Sequence, residues 1–253
     1  MMRGLKDKVA IVAGGGRGIG AATAMRLADE GAIVVIGDIN EQWAADSAQA
    51  IVDRGGRAVG VHLDGTSAAS QAAIVAAAQG RFGGLDIFHS NLAGGTEGDV
   101  DALNCPEEVF DRSVAINLKS HFLATQAALP ALIERGGGAM IYTSSGAASG
   151  ASPWQVAYPM TKNGIHALAR HVASKWGKEG VRANVICPGL IMTEAVAQHL
   201  SDDQVRDMRR RTPSARLGEP GDIAAAVAFL ASDDGAYVNG QVWHVNGGTQ
   251  MRD

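Results

Sequence analysis

Val9-Ala10-Ile11-Val12-Ala13-Gly14-Gly15-Gly16-Arg17-Gly18-Ile19-Gly20 joins an apolar run to a glycine-rich turn and then to a segment of helical period over residues 19–29. A diphosphate needs close backbone approach and a group of free N–H donors. Glycines permit the approach, and the start of a helix supplies donors at its positive dipole end. Glycine is common in turns of every kind, so composition alone means little. The position between a strand and a helix is what points to a dinucleotide rather than to a structural turn. No Lys-Ser/Thr pair closes the turn, which argues against nucleotide hydrolysis.

Outward from this turn, apolar runs alternate with helical stretches. Residues 9–13, 32–37, 57–63, 85–89, 139–143, 182–187 and 241–245 read as strands. Several are apolar on both faces, as strands covered by helices on each side must be. Residues 19–29, 41–52 and 67–82 read as helices between them. The alternation predicts an α/β, doubly wound, Rossmann-type fold with a parallel sheet flanked by helices on both faces. No Pro-, Gly- or Ser-rich linker divides the chain, so residues 1–253 are expected to form one domain. The least regular stretch, 192–220, lies between a strand and the helix expected around 222–230. An excursion after a strand's carboxyl end suits a substrate lid. A pair of surface helices fits the same residues.

Composition removes several classes of function. The formal charge of −4 offers no basic footprint for nucleic acid. The two cysteines, Cys105 and Cys187, form no disulfide framework, and the seven histidines are scattered without metal-ligand spacing. No run approaches the ~18 apolar residues of a membrane span. Residues 1–8 are polar and lead straight into a strand, with no apolar signal segment. A reducing cytoplasm is the expected compartment.

The second strand ends at Gly37-Asp38. A carboxylate there accepts hydrogen bonds from adenosine ribose hydroxyls and repels a 2′-phosphate, favouring NAD over NADP. Arg17 pulls the other way, since a cation beside the turn attracts that phosphate. Asp38 should prevail, because juxtaposed like charges cost on the order of several kcal/mol. The lesser reading of Asp38 is an ordinary acidic helix-entry residue.

Tyr158-Pro159-Met160-Thr161-Lys162 places a phenol and an amine four apart, on one face of a helix. An ammonium about 4 Å from a phenol contributes roughly 4 kcal/mol at an effective dielectric near 20. Lowering a phenol pKa from about 10 to near 7 needs about the same energy. Lys162, with the positive charge of a nicotinamide, is therefore a candidate to poise Tyr158 for proton transfer. Ser145, after the strand at 139–143, is placed to hydrogen-bond a reacting oxygen. Ser144 is expected to face the opposite side. Taken singly, these residues read as a helix-surface pair and a strand-end cap. No Gly-x-Ser-x-Gly elbow is present, so a serine hydrolase is excluded.

Over essentially its whole length the sequence resembles the short-chain dehydrogenase/reductase family. The matching marks are Gly14, Gly18 and Gly20, Asp64, Asn117 in Ile116-Asn117-Leu118, Ser145, Tyr158, Lys162, Pro188-Gly189 and Thr193. The resemblance implies a seven-stranded parallel sheet, commonly a homotetramer, and interconversion of a secondary alcohol and a ketone with NAD(P)(H). It implies Tyr158 as acid/base, Lys162 on the nicotinamide ribose, Ser145 on the carbonyl and Asn117 in a proton relay. Asp64 and Gly65 would contact the adenine, while Ile191 and Thr193 would fix the carboxamide. Without it, Asn117 reads as a buried structural amide and Thr193 as a helix cap.

Three departures bear on this implication. The family's Asn-Asn-Ala-Gly after the fourth strand is here Ser90-Asn91-Leu92-Ala93, keeping only Asn91 in place. Ala13 replaces the usual threonine before Gly14, and Pro159 follows the tyrosine. Proline is tolerated in a first helical turn, which puts Tyr158 at a helix start. Trp154, Gln155 and Met192 are expected to border a partly apolar substrate, with cyclic, steroid-like and acyl ketones and polyols all left open. Two other readings stand beside the dehydrogenase: a non-catalytic NAD-binding sensor or scaffold, and an epimerase or dehydratase using the same Tyr and Lys chemistry.

Overall fold

The structure is a computed structural model that describes residues 2–251; Met1, Arg252 and Asp253, the ends of the expected 1–253 domain, lie outside the described residues. Its seven strands are β1 (Val9–Ala13), β2 (Ile33–Asp38), β3 (Arg57–His62), β4 (Ile87–Ser90), β5 (Gly138–Thr143), β6 (Val181–Pro188) and β7 (Val242–Val245). They form one sheet in the order β3-β2-β1-β4-β5-β6-β7. Every pairing is parallel. The doubly wound sheet expected from the alternation is therefore present.

The helices are α1 (Gly18–Asp29), α2 (Glu41–Val52), α3 (Ala68–Phe82), α4 (Glu107–Val114), α5 (Ser120–Glu134), α6 (Ala157–Trp176), α7 (Glu194–His199), α8 (Asp202–Arg211) and α9 (Pro220–Ala231). Strand residues alternate between two cores. Val9, Ile11 and Ala13 face a layer holding Ile74 of α3, Leu132 of α5 and Ile165 of α6. Ala10 and Val12 face Leu27 of α1, Ile51 of α2 and Val227 of α9. Burial on both faces is why β1 carries no polar residue, each such side chain contributing about 1.5–3 kcal/mol on leaving water. The sheet margins differ. Every residue of β3 and β7 keeps some exposure, as expected of edge strands.

Boundaries deviate from the sequence pattern by one or two residues for physical reasons. Asp38 stays in β2 because it pairs with His62 across the edge. Leu85 and Asp86 precede β4, and the Asp86 carboxylate accepts from Val9 N–H, Lys8 and Arg135. Ser67 caps α3 rather than belonging to it, accepting from Ser70 N–H at 3.3 Å.

The sheet reverses its winding between β1 and β4. The chain runs outward through β2 and β3, then returns to the other side of β1. Ala13 is in register with both Gly37 and Ser90, so three strands end together at this point. Loops diverging there leave a crevice at the carboxyl edge. Among the described residues, no helix is long and apolar enough to cross a membrane.

Candidate active site

The crevice is a cavity of about 870 Å³. Its first end is built from backbone. Gly14 adopts φ +76°, and a Cβ there would lie 2.8 Å from Asn91 O. Gly20 lies behind the wall instead of on it; its Cβ would come within 1.9 Å of Gly14 O. No side chain fits at either position, so the turn can pack against the start of α1. Gly14, Arg17, Gly18 and Ile19 reach the wall.

Asp38 also lines this end. Its Oδ2 accepts from Gly16 N–H and its Oδ1 from Asn40 N–H, each at 3.0 Å, which fixes the carboxylate at the turn. Asp64 and Gly65 follow along the wall. Hydrogen bonds from the Thr66 side chain and backbone hold the Asp64 carboxyl below its usual range. Arg17 lies with its guanidinium 3.9 Å from the centroid of Trp43, a wall residue absent from the sequence reading. Its signal was available: Asn40 caps α2 by accepting from Trp43 N–H, which sets the indole in the first turn beside Asp38.

The other end is built from side chains. Ser145, Tyr158 and Lys162 share this wall with the glycine turn. Ser145 follows β5 and accepts from Ala147 N–H at 3.1 Å. Ser144 also borders the cavity, but its hydroxyl is engaged elsewhere. Its Oγ donates to Lys162 O at 2.9 Å and lies 2.9 Å from His166 Nε2. Tyr158 is the second residue of α6, matching the place that Pro159 demands.

The Lys162 amine is fully buried and donates to Leu92 O at 2.9 Å and Thr143 O at 3.2 Å. Burial draws its pKa down to about 7. Its Nζ lies 5.8 Å from the Tyr158 ring centroid. Burial raises the Tyr158 phenol above its ordinary value, with a Ser145 hydrogen bond pulling in the other direction. Desolvation is the larger of these two influences on the phenol.

Asn117 is buried behind the wall, within a π-helical turn (Ala115–Lys119) joining α4 to α5. Its Oδ1 accepts from Gly94 N–H at 3.2 Å and its Nδ2 donates to Gly94 O at 2.8 Å. It thereby pins the loop after β4. Pro188, Gly189, Ile191 and Thr193 line the cavity from β6 onward. Thr193 also caps α7, accepting from Val196 N–H at 3.2 Å. For Asn117 and Thr193 the structural role is thus occupied in this geometry.

The altered segment after β4 has its own supports. Asn91 and Ala93 remain on the wall, and Asn91 Nδ2 donates to Gly14 O at 3.1 Å. Ser90 Oγ lies 2.7 Å from His121 Nδ1, while His121 Nε2 lies 3.0 Å from Leu92 O. That carbonyl also receives Lys162, so His121 helps fix an acceptor of the buried amine. His121 was missed from the sequence, where only its position one turn after Asn117 marked it.

Trp154, Gln155 and Met192 do not reach the cavity wall, and Trp154 is 82% exposed. The 192–220 stretch forms two short helices, α7 and α8. Its neck is closed by Met192 N–H to Gly218 O at 2.8 Å. Glu194, Val196 and Gln198 of α7 line the cavity. Arg210 and Arg211 on α8 pair with Asp207 at the surface.

These residues fit a dinucleotide. A cradle that a Cβ would fill offers room for a diphosphate, Asp38 stands at the end of β2, and a buried amine and a phenol stand at the opposite end. A family model described as enoyl-(acyl carrier protein) reductase matches residues 13–250. A 2,5-dichloro-2,5-cyclohexadiene-1,4-diol dehydrogenase from Sphingobium indicum is 37% identical, the match covering 98% of each chain. An L-rhamnose 1-dehydrogenase (NAD(P)(+)) from Azotobacter vinelandii is 38% identical over 96% of this chain and 97% of its own. The solved structure of a 7α-hydroxysteroid dehydrogenase complexed with NADH and 7-oxo glycochenodeoxycholic acid superposes with a TM-score of 0.92 at 33% identity, covering 98% of this chain and 97% of that one. The chain belongs to the short-chain dehydrogenase/reductase family. It is accordingly an oxidoreductase of a family that binds a nicotinamide cofactor.

Proposed function

We propose that this protein interconverts a secondary alcohol and a ketone using NAD(H) in preference to NADP(H). The observation that carries the reading is the convergence of Ser145, Tyr158 and Lys162 on the cavity that also holds the glycine turn and Asp38. Bound there, the nicotinamide supplies or accepts the hydride. Tyr158 exchanges a proton between its phenol oxygen and the substrate oxygen. Ser145 donates a hydrogen bond to that same oxygen and orients it. Lys162 presents its amine to the nicotinamide ribose from the Leu92 and Thr143 carbonyls, and Asn117 holds the adjoining loop and supports a proton relay from Lys162.

The raised phenol in the chain itself implies a division of labour. Lys162 and the cationic ring together must overcome the desolvation that burial imposes on Tyr158. At the adenosine end Asp38 accepts from the ribose hydroxyls. The 192–220 excursion acts as a lid over the substrate through α7.

The test is nicotinamide absorbance with NAD and a panel containing cyclohexanol, L-rhamnose and a 7α-hydroxy bile acid. Tyr158→Phe should lower turnover by about 10²–10⁴-fold while leaving NADH binding intact. Unchanged turnover would remove Tyr158 from its role. Identification of the product separates net oxidation from epimerisation or dehydration.

A further inference from the structure

The first turn of α6 has a backbone problem that its own sequence does not solve. Val156 occupies the N-cap position and carries no side-chain oxygen. The opening N–H groups of a helix have no intrahelical partner, and leaving them bare is unfavourable. Here the partner comes from far away in sequence. Asp99, in the loop after β4, directs Oδ1 at Val156 N–H (3.1 Å) and Ala157 N–H (3.0 Å), and Oδ2 at Tyr158 N–H (2.8 Å). The next residue is Pro159, which has no N–H. Helical bonding resumes at Met160, whose N–H meets Val156 O at 3.4 Å. One carboxylate thus satisfies every donor of the turn that bears Tyr158.

The loop that carries Asp99 is itself held. Its start is clamped by Asn117 through both polar groups of Gly94, and Arg112 of α4 donates to Gly95 O and Glu97 O. At its other end, Val100 O accepts from Val156 N–H at 3.0 Å. A continuous set of contacts therefore runs from Asn117 through residues 94–99 to the backbone of Tyr158. A carboxylate at a helix N-terminus also complements the positive end of the dipole, and charged acceptors bind N–H about twice as strongly as neutral ones.

We propose that Asp99 is a positioning residue for Tyr158: it caps the catalytic helix from a separate loop and fixes the backbone from which the phenol reaches the substrate. The proposal rests on Tyr158 being the acid/base. Small displacements matter at that position, because a misplacement of about 1 Å costs about 100-fold in rate.

The test uses the full-length enzyme with NAD and the panel alcohol it turns over, together with a crystal structure of each variant. Asp99→Ala should lower kcat by about 10- to 100-fold, leave NADH affinity unchanged, and shift the Tyr158 hydroxyl away from Ser145. Asp99→Asn, which keeps one of the two acceptor oxygens at the cap, should give a kcat between those of Asp99→Ala and the native enzyme. In the Tyr158→Phe background, Asp99→Ala should have no further effect on residual turnover, since the two residues act as one unit. An unmoved Tyr158 in Asp99→Ala, equal losses in both backgrounds, or a loss confined to NADH affinity would each overturn the proposal. If Tyr158→Phe alone keeps native turnover, the acid/base reading fails instead. In that event Asp99 is judged by the Tyr158 displacement alone.

Discussion

On the β1–β2 side of the cavity, the working parts are backbone groups and the absence of side chains. On the β4–β5–β6 side they are side chains taken out of water. Gly14 and Gly20 act by leaving room, and Asp38 is fixed by two amides of its own neighbourhood. Lys162 instead depends on carbonyls from residues 92 and 143, and Tyr158 on the distant Asp99. A site that binds through backbone can be specified locally, because the turn and the helix start are contiguous in the chain. A site that moves a proton needs a controlled pKa, and that control comes from desolvation and from partners brought together by the sheet.

Substitutions can break this contrast from either side. The largest effect after loss of Tyr158 is expected at Ser145. Ser145→Ala should reduce kcat by about 100-fold with little change in NADH affinity, checked by steady-state kinetics beside a binding titration. Equal losses in kcat and affinity would mean that Ser145 belongs to the binding half.

Gly20→Ala should do the reverse. Its Cβ cannot share space with Gly14 O, so the turn must open. NADH affinity should fall by about tenfold or more, read by fluorescence titration, with a lowered Tm. Preserved affinity would show that the turn is not the diphosphate cradle.

Asp38→Ser tests charge within the binding half. Removing the carboxylate should move the NAD/NADP preference toward NADP by about tenfold, with Arg17 then free to meet the 2′-phosphate. An unchanged ratio would assign discrimination to another group.

The smallest effect concerns the chemical half's foundations. His166 is buried against Ser144 and its pKa is drawn down to about 4 by burial. A histidine that is harder to protonate when folded favours the native state above its unfolded value near 6.5. That contribution declines as pH falls through the interval toward 4. His166→Gln should therefore flatten the fall in Tm between about pH 6.5 and pH 4, measured by thermal unfolding across pH. A curve parallel to the native one would place the acid sensitivity elsewhere, for example at buried His89.

Much of the architecture was legible because apolar periodicity reports burial directly. All seven strand runs became strands, and their two-faced apolar character anticipated two helical layers. The residues themselves pointed to the glycine turn, Asp38, Ser145, Tyr158 and Lys162, and the resemblance added Asp64, Gly65, Asn117, Ile191 and Thr193; most of these line one cavity, while Gly20, Asn117, Trp154, Gln155 and Met192 do not. Less legible were Trp43, His121 and Asp99. Trp43 and His121 left only a local mark, a helix cap and a one-turn spacing, while Asp99 acts through the backbone of a helix far along the chain and leaves none. The 192–220 stretch illustrates the limit in another way. It forms two short helices, of which α7 lines the cavity, and the lid stays part of the proposed function. Sequence framed these as alternatives because it records polarity without direction.

Alone, the chain's order of residues determined that a strand must feed a glycine turn and a helix start, because the turn's geometry is local and tolerates no Cβ. It likewise put a phenol and an amine on one helical face. Only the tertiary structure decided the state of those two groups. Burial raises the phenol and lowers the amine, and carbonyls from two other segments receive the lysine. Desolvation depends on what surrounds a group in space, and no stretch of sequence carries that information by itself.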